Sequence, residues 1–261
     1  MKRLGVIGGM SWESTQTYYR LLNEEIKAHC GPLHSAPLLL WNMDFAPIAR
    51  LQAEGDWAGL TTIMEQAAQG LRAGGAELLI IATNTMHLMA DQVATAGAVP
   101  LVHIADATGA ALREAGVQRL LLLATRFTME KAFYREHVER VAGCRVAVPE
   151  EPHRSRVHDV IYEELVQGQI RDESRTAYLG IIDHYRQEQA IDAVIFGCTE
   201  VGLLLNQSSI DQAGLDLPAF DTTAIHCRAA AAAMLASPGD RTDERQRSVL
   251  RTGEHGHGHG A

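Results

Sequence analysis

Lysine is scarce in this chain: Lys2, Lys27 and Lys131 are the only three among 261 residues. Pyridoxal phosphate is held as a Schiff base on a lysine inside its pocket. These three fall at the amino terminus and on helix faces that read as solvated, so no lysine is placed for that chemistry. The formal charge of −9 comes without any Lys/Arg cluster, which argues against nucleic acid and anionic membrane surfaces as partners. A small molecule is the expected ligand. No apolar run reaches the roughly 18 residues of a membrane span, and Lys2-Arg3 leads into a short strand pattern rather than a signal-peptide core. A cytoplasmic location follows as the expectation. Cys30, Cys144, Cys198 and Cys227 have neither metal-ligand spacing nor the density of a disulfide framework. Outside the histidine-rich end, no His/Cys/carboxylate group has zinc spacing, and Gly5-Val6-Ile7-Gly8-Gly9 has neither the dinucleotide-binding glycine pattern nor a Walker lysine. The expectation is a site without metal or cofactor.

What is present is a repeated βα rhythm. Arg3–Gly9, Pro37–Asn42 and Leu78–Ala82 read as apolar strands, separated by segments such as Tyr18, Leu21, Leu22, Ile26 and Leu60, Ile63, Met64, Ala67, Leu71 that carry apolar residues at helical spacing. Unbroken apolar strands of this kind are what a parallel sheet covered on both faces produces. The second half repeats the plan with Arg119–Ala124 and Ala193–Gly197. Spacing supports a true repeat: Thr83 to Asp106 and Cys198 to Asp221 are both 23 residues, and Gly8 to Thr83 is 75 where Thr125 to Cys198 is 73. The fold expected is α/β, two doubly wound domains with parallel sheets related by a pseudo-twofold axis, their cleft holding the site. The domains are placed at 1–100 with 208–236, and at 101–207, with a flexible tail at 237–261.

In open α/β sheets ligands lie beyond the carboxyl ends of the strands, which singles out two matched stretches. Cys198 follows an apolar strand and a glycine and precedes residues able to open a helix, where a thiol pKa is expected to fall. It is a candidate base or nucleophile. Thr83-Asn84-Thr85 stands at the equivalent place with hydroxyls, an amide and consecutive N–H groups suited to a carboxylate. Thr125 and Thr199 extend that chemistry, whereas Asp106 and Asp221 fit helix capping at least as well as catalysis.

The chain resembles the aspartate/glutamate racemase superfamily, within it the aspartate racemase branch that includes broad-specificity amino-acid racemases. Gly8-Gly9-Met10-Ser11-Trp12-Glu13-Ser14-Thr15, Thr83-Asn84-Thr85-Met86-His87, Ala124-Thr125-Arg126-Phe127-Thr128-Met129 and Gly197-Cys198-Thr199-Glu200 carry the resemblance. It implies two domains closing on an amino acid, proton exchange at Cα between two opposed cysteines without pyridoxal phosphate, and a homodimer. This chain has Thr83 where the first of those cysteines is expected, so the two faces are chemically unequal. By the same analogy Cys198 and Thr83 are the catalytic pair, Cys198 working on the L-isomer of aspartate or glutamate. Met10, Ser11, Arg50, Gln52, Asn84, Thr85, Thr125, Thr199 and Glu200 are the expected substrate-binding residues, with Arg156 a weaker candidate. A single-cysteine decarboxylase of malonate-type acids and a binding protein without turnover are the competing readings.

Overall fold

A computed structural model describes residues 1–236; the expected flexible tail, with its histidine-rich end, lies outside the described residues. The first half runs β1 (Leu4–Gly8), α1 (Trp12–Cys30), β2 (Leu38–Asn42), α2 (Phe45–Glu54), α3 (Trp57–Ala73), β3 (Leu78–Ile81) and, after a 3₁₀ turn at Thr85–Met89, α4 (Ala90–Gly97) and α5 (Ile104–Glu114). The second runs β4 (Arg119–Leu123), α6 (Arg126–Glu130), α7 (Ala132–Ala142), β5 (Arg145–Ala147), α8 (His153–Glu163), α9 (Asp172–Gln189), β6 (Ala193–Phe196), α10 (Val201–Leu204), α11 (Gln207–Gln212), β7 (Ala219–Asp221) and α12 (Thr222–Leu235).

Two parallel sheets result, ordered β2-β1-β3 and β5-β4-β6-β7. The likeness is closer than strand counts suggest, because a parallel bridge from Leu79 to Leu101 adds a fourth position to the first sheet where β7 stands in the second. Strand alternation divides the first sheet's core into two layers. Leu4, Val6, Leu78 and Ile80 meet Tyr18, Leu22 and Ile26 of α1 and Ala230 and Met234 of α12, while Ile7, Leu79 and Ile81 meet Leu60, Met64 and Leu71 of α3. The second sheet buries Leu120–Leu123 and Ala193–Phe196 in one continuous core. Truncating a fully buried leucine in either sheet costs about 2–5 kcal/mol, so the strand ends are held by rigid supports.

The chain changes halves just after each fourth strand. Ile104, Ala105 and Leu112 of α5 belong to the second core, whereas Cys227, Ala230 and Met234 of α12 belong to the first. The return to the first half therefore begins at Thr222 rather than at 208, because Ala219–Asp221 hydrogen-bond to Val194–Phe196 and extend the second sheet. Among the described residues no helix is long and apolar enough to cross a membrane.

Candidate active site

The carboxyl ends of β1, β3, β4 and β6 converge on one interdomain cleft, lined by Met10, Phe45, Gln52, Thr83, Thr85, Thr125, Ile161, Tyr162, Val166, Cys198 and Glu200. The loop after β1 can turn there only because Gly9 adopts φ +85°, with a Cβ position 2.2 Å from the Met43 carbonyl oxygen. Thr15 fastens this loop: its hydroxyl accepts from the Gly9 amide at 2.7 Å and donates to the Ser11 carbonyl at 2.8 Å. After β6, a side chain at Gly197 would meet Leu122 at 2.5 Å, so glycine allows the Cys198 turn to sit down on β4.

Cys198 is half-buried, and its thiol donates to Glu200 Oε2 at 2.9 Å. The other Glu200 oxygen accepts from Ser11 Oγ at 2.8 Å, which ties the dyad to the first half. Sequence reasoning expects a depressed thiol pKa; the structure reverses this. Burial foremost, then the Glu200 charge and its hydrogen bond, hold the thiol well above its ordinary value, against smaller opposing contributions from the Glu200 and Thr199 amides. The helix that follows, α10, has only four residues, too few to supply a strong dipole. The geometry instead makes Glu200 Oε2 the hydrogen-bond acceptor of the Cys198 thiol.

Thr83 faces the same cleft, but among the described residues no carboxylate or imidazole is hydrogen-bonded to its hydroxyl, while its carbonyl accepts from His87 Nδ1 at 2.8 Å. Thr85, Thr125 and Thr128 form a triangle of hydroxyls, with 3.0, 3.1 and 3.2 Å sides, that crosses the cleft. Tyr162 donates to Gln52 Oε1 at 3.0 Å, also across it. Burial, reinforced by Cys198 and Glu200, pushes the Tyr162 phenol up, so it stays a donor. These crossings leave the cleft nearly closed, with a free volume of about 20 Å³, room for about one water.

Of the residues expected to bind substrate, Met10, Gln52, Thr85, Thr125 and Glu200 line the cleft with Thr83 and Cys198. Arg50 does not. It is exposed, and two residues along α2 from Gln52 turn it about 200° around the helix axis, to the opposite side. Arg156 is likewise exposed and outside the lining. Ser11 stands behind Glu200. Asn84 is buried and donates to Thr222 Oγ1 at 3.1 Å, its Oδ1 having no hydrogen-bond partner among the described residues. Thr199 is buried and offers its amide to Cys198. Asp221 caps α12 through the Thr223 amide at 2.8 Å, and Asp106 pairs with His137 at 2.6 Å, so neither is in the cleft. Phe45, Ile161, Tyr162 and Val166 were not singled out by sequence; Ile161 and Tyr162 lie on α8 and Val166 in the 3₁₀ turn that follows it.

Among the described residues one cluster has metal-ligand chemistry: His103, Asp106 and His137 bring ligand atoms within 4.8 Å of one another. The His103 and His137 rings are stacked, with centroids 4.4 Å apart and planes within 8° of parallel. Imidazole lone pairs lie in the ring plane, so these two do not converge on one ion. His103 Nδ1 is also taken by the Ala105 amide at 3.1 Å.

The sequence model of the Asp/Glu/hydantoin racemase family matches residues 7–230. Among solved structures, a candidate Asp/Glu racemase from Yersinia pestis is 45% identical, covering 90% of this chain and 100% of its own, with a TM-score of 0.81. An aspartate racemase homologue from Pyrococcus horikoshii OT3 is 33% identical, covering 87% of this chain and 96% of its own, with a TM-score of 0.74. A glutamate racemase from Francisella tularensis, solved with D-glutamate, shares the fold at 18% identity, covering 96% of this chain and 81% of its own, with a TM-score of 0.58.

Proposed function

Because the chain belongs to the Asp/Glu/hydantoin racemase family, we propose that it racemises an amino acid without pyridoxal phosphate, with the Cys198–Glu200 pair working on the face presented by the L-isomer and Thr83 on the other. The single observation that carries this is the Cys198 Sγ to Glu200 Oε2 contact of 2.9 Å at a strand end facing the cleft. In the reaction Glu200 takes the thiol proton, and the thiolate takes the α-proton. The pair of electrons left on Cα spreads into the α-carboxylate. Threonine hydroxyls and strand-end amides stabilise that charge, as preorganised donors do in a site with little water. A proton then reaches Cα from the opposite side, from the Thr83 hydroxyl or from a water beside it, and exchange with solvent returns a proton to that donor and takes the one left on Glu200. An alcohol is a far weaker acid than a thiol, so this second step is the slower one, and the L-isomer exchanges its α-proton faster than it inverts.

The substrate class proposed is the acidic amino acids, in line with the names of the neighbouring proteins. With Arg50 outside the lining, Gln52, Tyr162 and the hydroxyl triangle are the donors available to a distal carboxylate. Comparing turnover of L-aspartate, L-glutamate, L-asparagine and L-glutamine tests this, and faster turnover of the amides would overturn it.

A second reading, the single-thiol decarboxylase of malonate-type acids, draws on the bare Thr83 hydroxyl. Incubation with L-glutamate or L-aspartate in deuterium oxide separates the two readings, since a decarboxylase would give neither α-deuterium nor D-isomer. The proposed partner is a second copy of the chain. Among the described residues the outer edge of β2 is unpaired, Leu40 and Trp41 on it are exposed, and Trp12, Tyr19 and Leu33 are exposed on the same half. Light scattering after gel filtration should give twice 28.5 kDa; a monomer would sink this part.

A further inference from the structure

His87 is buried between the Thr83 turn and the start of α5, and neither of its nitrogens faces the cleft. Nε2 lies 3.2 Å from the Ile104 amide and Nδ1 2.8 Å from the Thr83 carbonyl. An amide can only donate and a carbonyl can only accept, which fixes the tautomer: Nδ1 carries the proton and gives it to Thr83, and Nε2 receives the Ile104 N–H. The ring thus joins the backbone of the Thr83 turn to the first residue of the helix that crosses into the second half.

We infer that His87 is a positioning residue for the Thr83 face of the cleft, acting through the Thr83 carbonyl and leaving the Cys198 face untouched. This rests on the racemase reading above. Among the described residues Thr83 has no hydrogen-bonding partner on its hydroxyl to aim it, so the direction of its side chain follows its backbone, and the His87 bond is a side-chain restraint on that backbone. The His103 and His226 rings close around His87 at centroid separations of 4.6 and 5.6 Å. Burial and these two rings hold its pKa well below the ordinary histidine value, so it stays neutral and keeps the one tautomer that satisfies both neighbours. Misplacing a reacting group by about 1 Å can lower a rate by about 100-fold. Cys198 is held by Glu200 and the second sheet, with no bond to His87.

The test uses the full chain and two variants. In His87→Gln the longer amide can accept from Ile104 but loses the donor at the Nδ1 position. In His87→Asn the amide nitrogen falls where Nδ1 was and can still donate to Thr83. With an L-amino acid turned over by the wild type in deuterium oxide, His87→Gln should incorporate α-deuterium into the L-isomer within about twofold of wild type, while D-isomer formation falls roughly 10- to 100-fold. His87→Asn should recover most of that loss. Equal falls in exchange and inversion, no fall in either, or an asparagine variant no better than the glutamine one would each overturn the inference. Absence of both activities in the wild type with every amino acid would instead sink the racemase reading on which it stands.

Discussion

Replacing Glu200 by glutamine separates two properties of Cys198 that usually move together, its reactivity toward alkylating reagents and its usefulness as a base. In the wild type the thiol donates to Glu200 Oε2 at 2.9 Å, and the thiol pKa stands well above its ordinary value through burial and then through the Glu200 charge and hydrogen bond. Glutamine has the same shape, and its single oxygen can still accept from Cys198 while its amide nitrogen turns to the Ser11 hydroxyl oxygen, but it cannot carry the proton away. A positioned general base contributes about 100- to 10,000-fold, or roughly 3–5 kcal/mol of barrier. Racemisation and α-proton exchange on the L-isomer should both fall by that factor. The like charge that disfavoured thiolate is gone, however, so the thiol pKa falls, and alkylation of Cys198 by iodoacetamide at pH 8 should become faster. Peptide mapping distinguishes it from Cys30, the other half-buried cysteine. Activity unchanged in Glu200→Gln, or alkylation slower than wild type, would refute the assignment of Glu200 as the proton acceptor.

Thr83→Cys supplies a thiol on the second face and should raise inversion relative to exchange and bring the L-to-D and D-to-L rates closer together; lower rates in both directions, measured by chiral chromatography, would count against the placement of Thr83. Tyr162→Phe removes the 3.0 Å bond to Gln52 that spans the cleft. A neutral hydrogen bond of this type contributes about 0.5–1.5 kcal/mol, so opening should be favoured by roughly 2- to 10-fold and appear as faster alkylation of Cys198. Gly9→Ala forces a side chain into φ +85° and onto the Met43 carbonyl. Strain of about 1–3 kcal/mol should lower the melting temperature by roughly 2–10 °C, and a melting temperature at the wild-type value would be a contradiction. His226 is buried and His103 half-buried, and both are uncharged near neutral pH in the folded chain, with pKa values lowered chiefly by burial to about 4. Between pH 6.5 and about 4 the unfolded state therefore binds more protons than the folded one, and stability falls as pH falls through that window. The fully buried His226 contributes on the order of 3 kcal/mol to this loss. Urea titrations at pH 7 and pH 4.5 measure it, and the slope should shrink in a His226→Gln variant that still folds.

The strand ends were legible because parallel strands covered on both faces are written as unbroken apolar runs. Thr83 and Cys198 do face one cleft, although the residues 23 positions after them differ in place, Asp106 lying within α5 and Asp221 capping α12. What was not legible depends on directions that a one-dimensional pattern does not carry. Arg50 and Gln52 are neighbours in sequence and point to opposite sides of α2. Tyr162 has the spacing of a core residue on α8, and only its reach to Gln52 in the other half makes it a closing contact. The Cys198 pKa was misjudged because a helix start was given weight, whereas burial and the carboxylate two residues later dominate. Ala219–Asp221 looked like part of the return to the first half until strand pairing assigned it to the second sheet.

The proposed function requires that Cys198 exchange the α-proton of an amino acid and that this exchange lead to inversion. Its most direct test is to follow L-aspartate and L-glutamate in deuterium oxide by proton NMR and chiral chromatography, with wild type and Cys198→Ala side by side. In the wild type α-deuterium should enter the L-isomer first and D-isomer should follow more slowly, and both should vanish in Cys198→Ala. Exchange and inversion that persist undiminished in Cys198→Ala would contradict it.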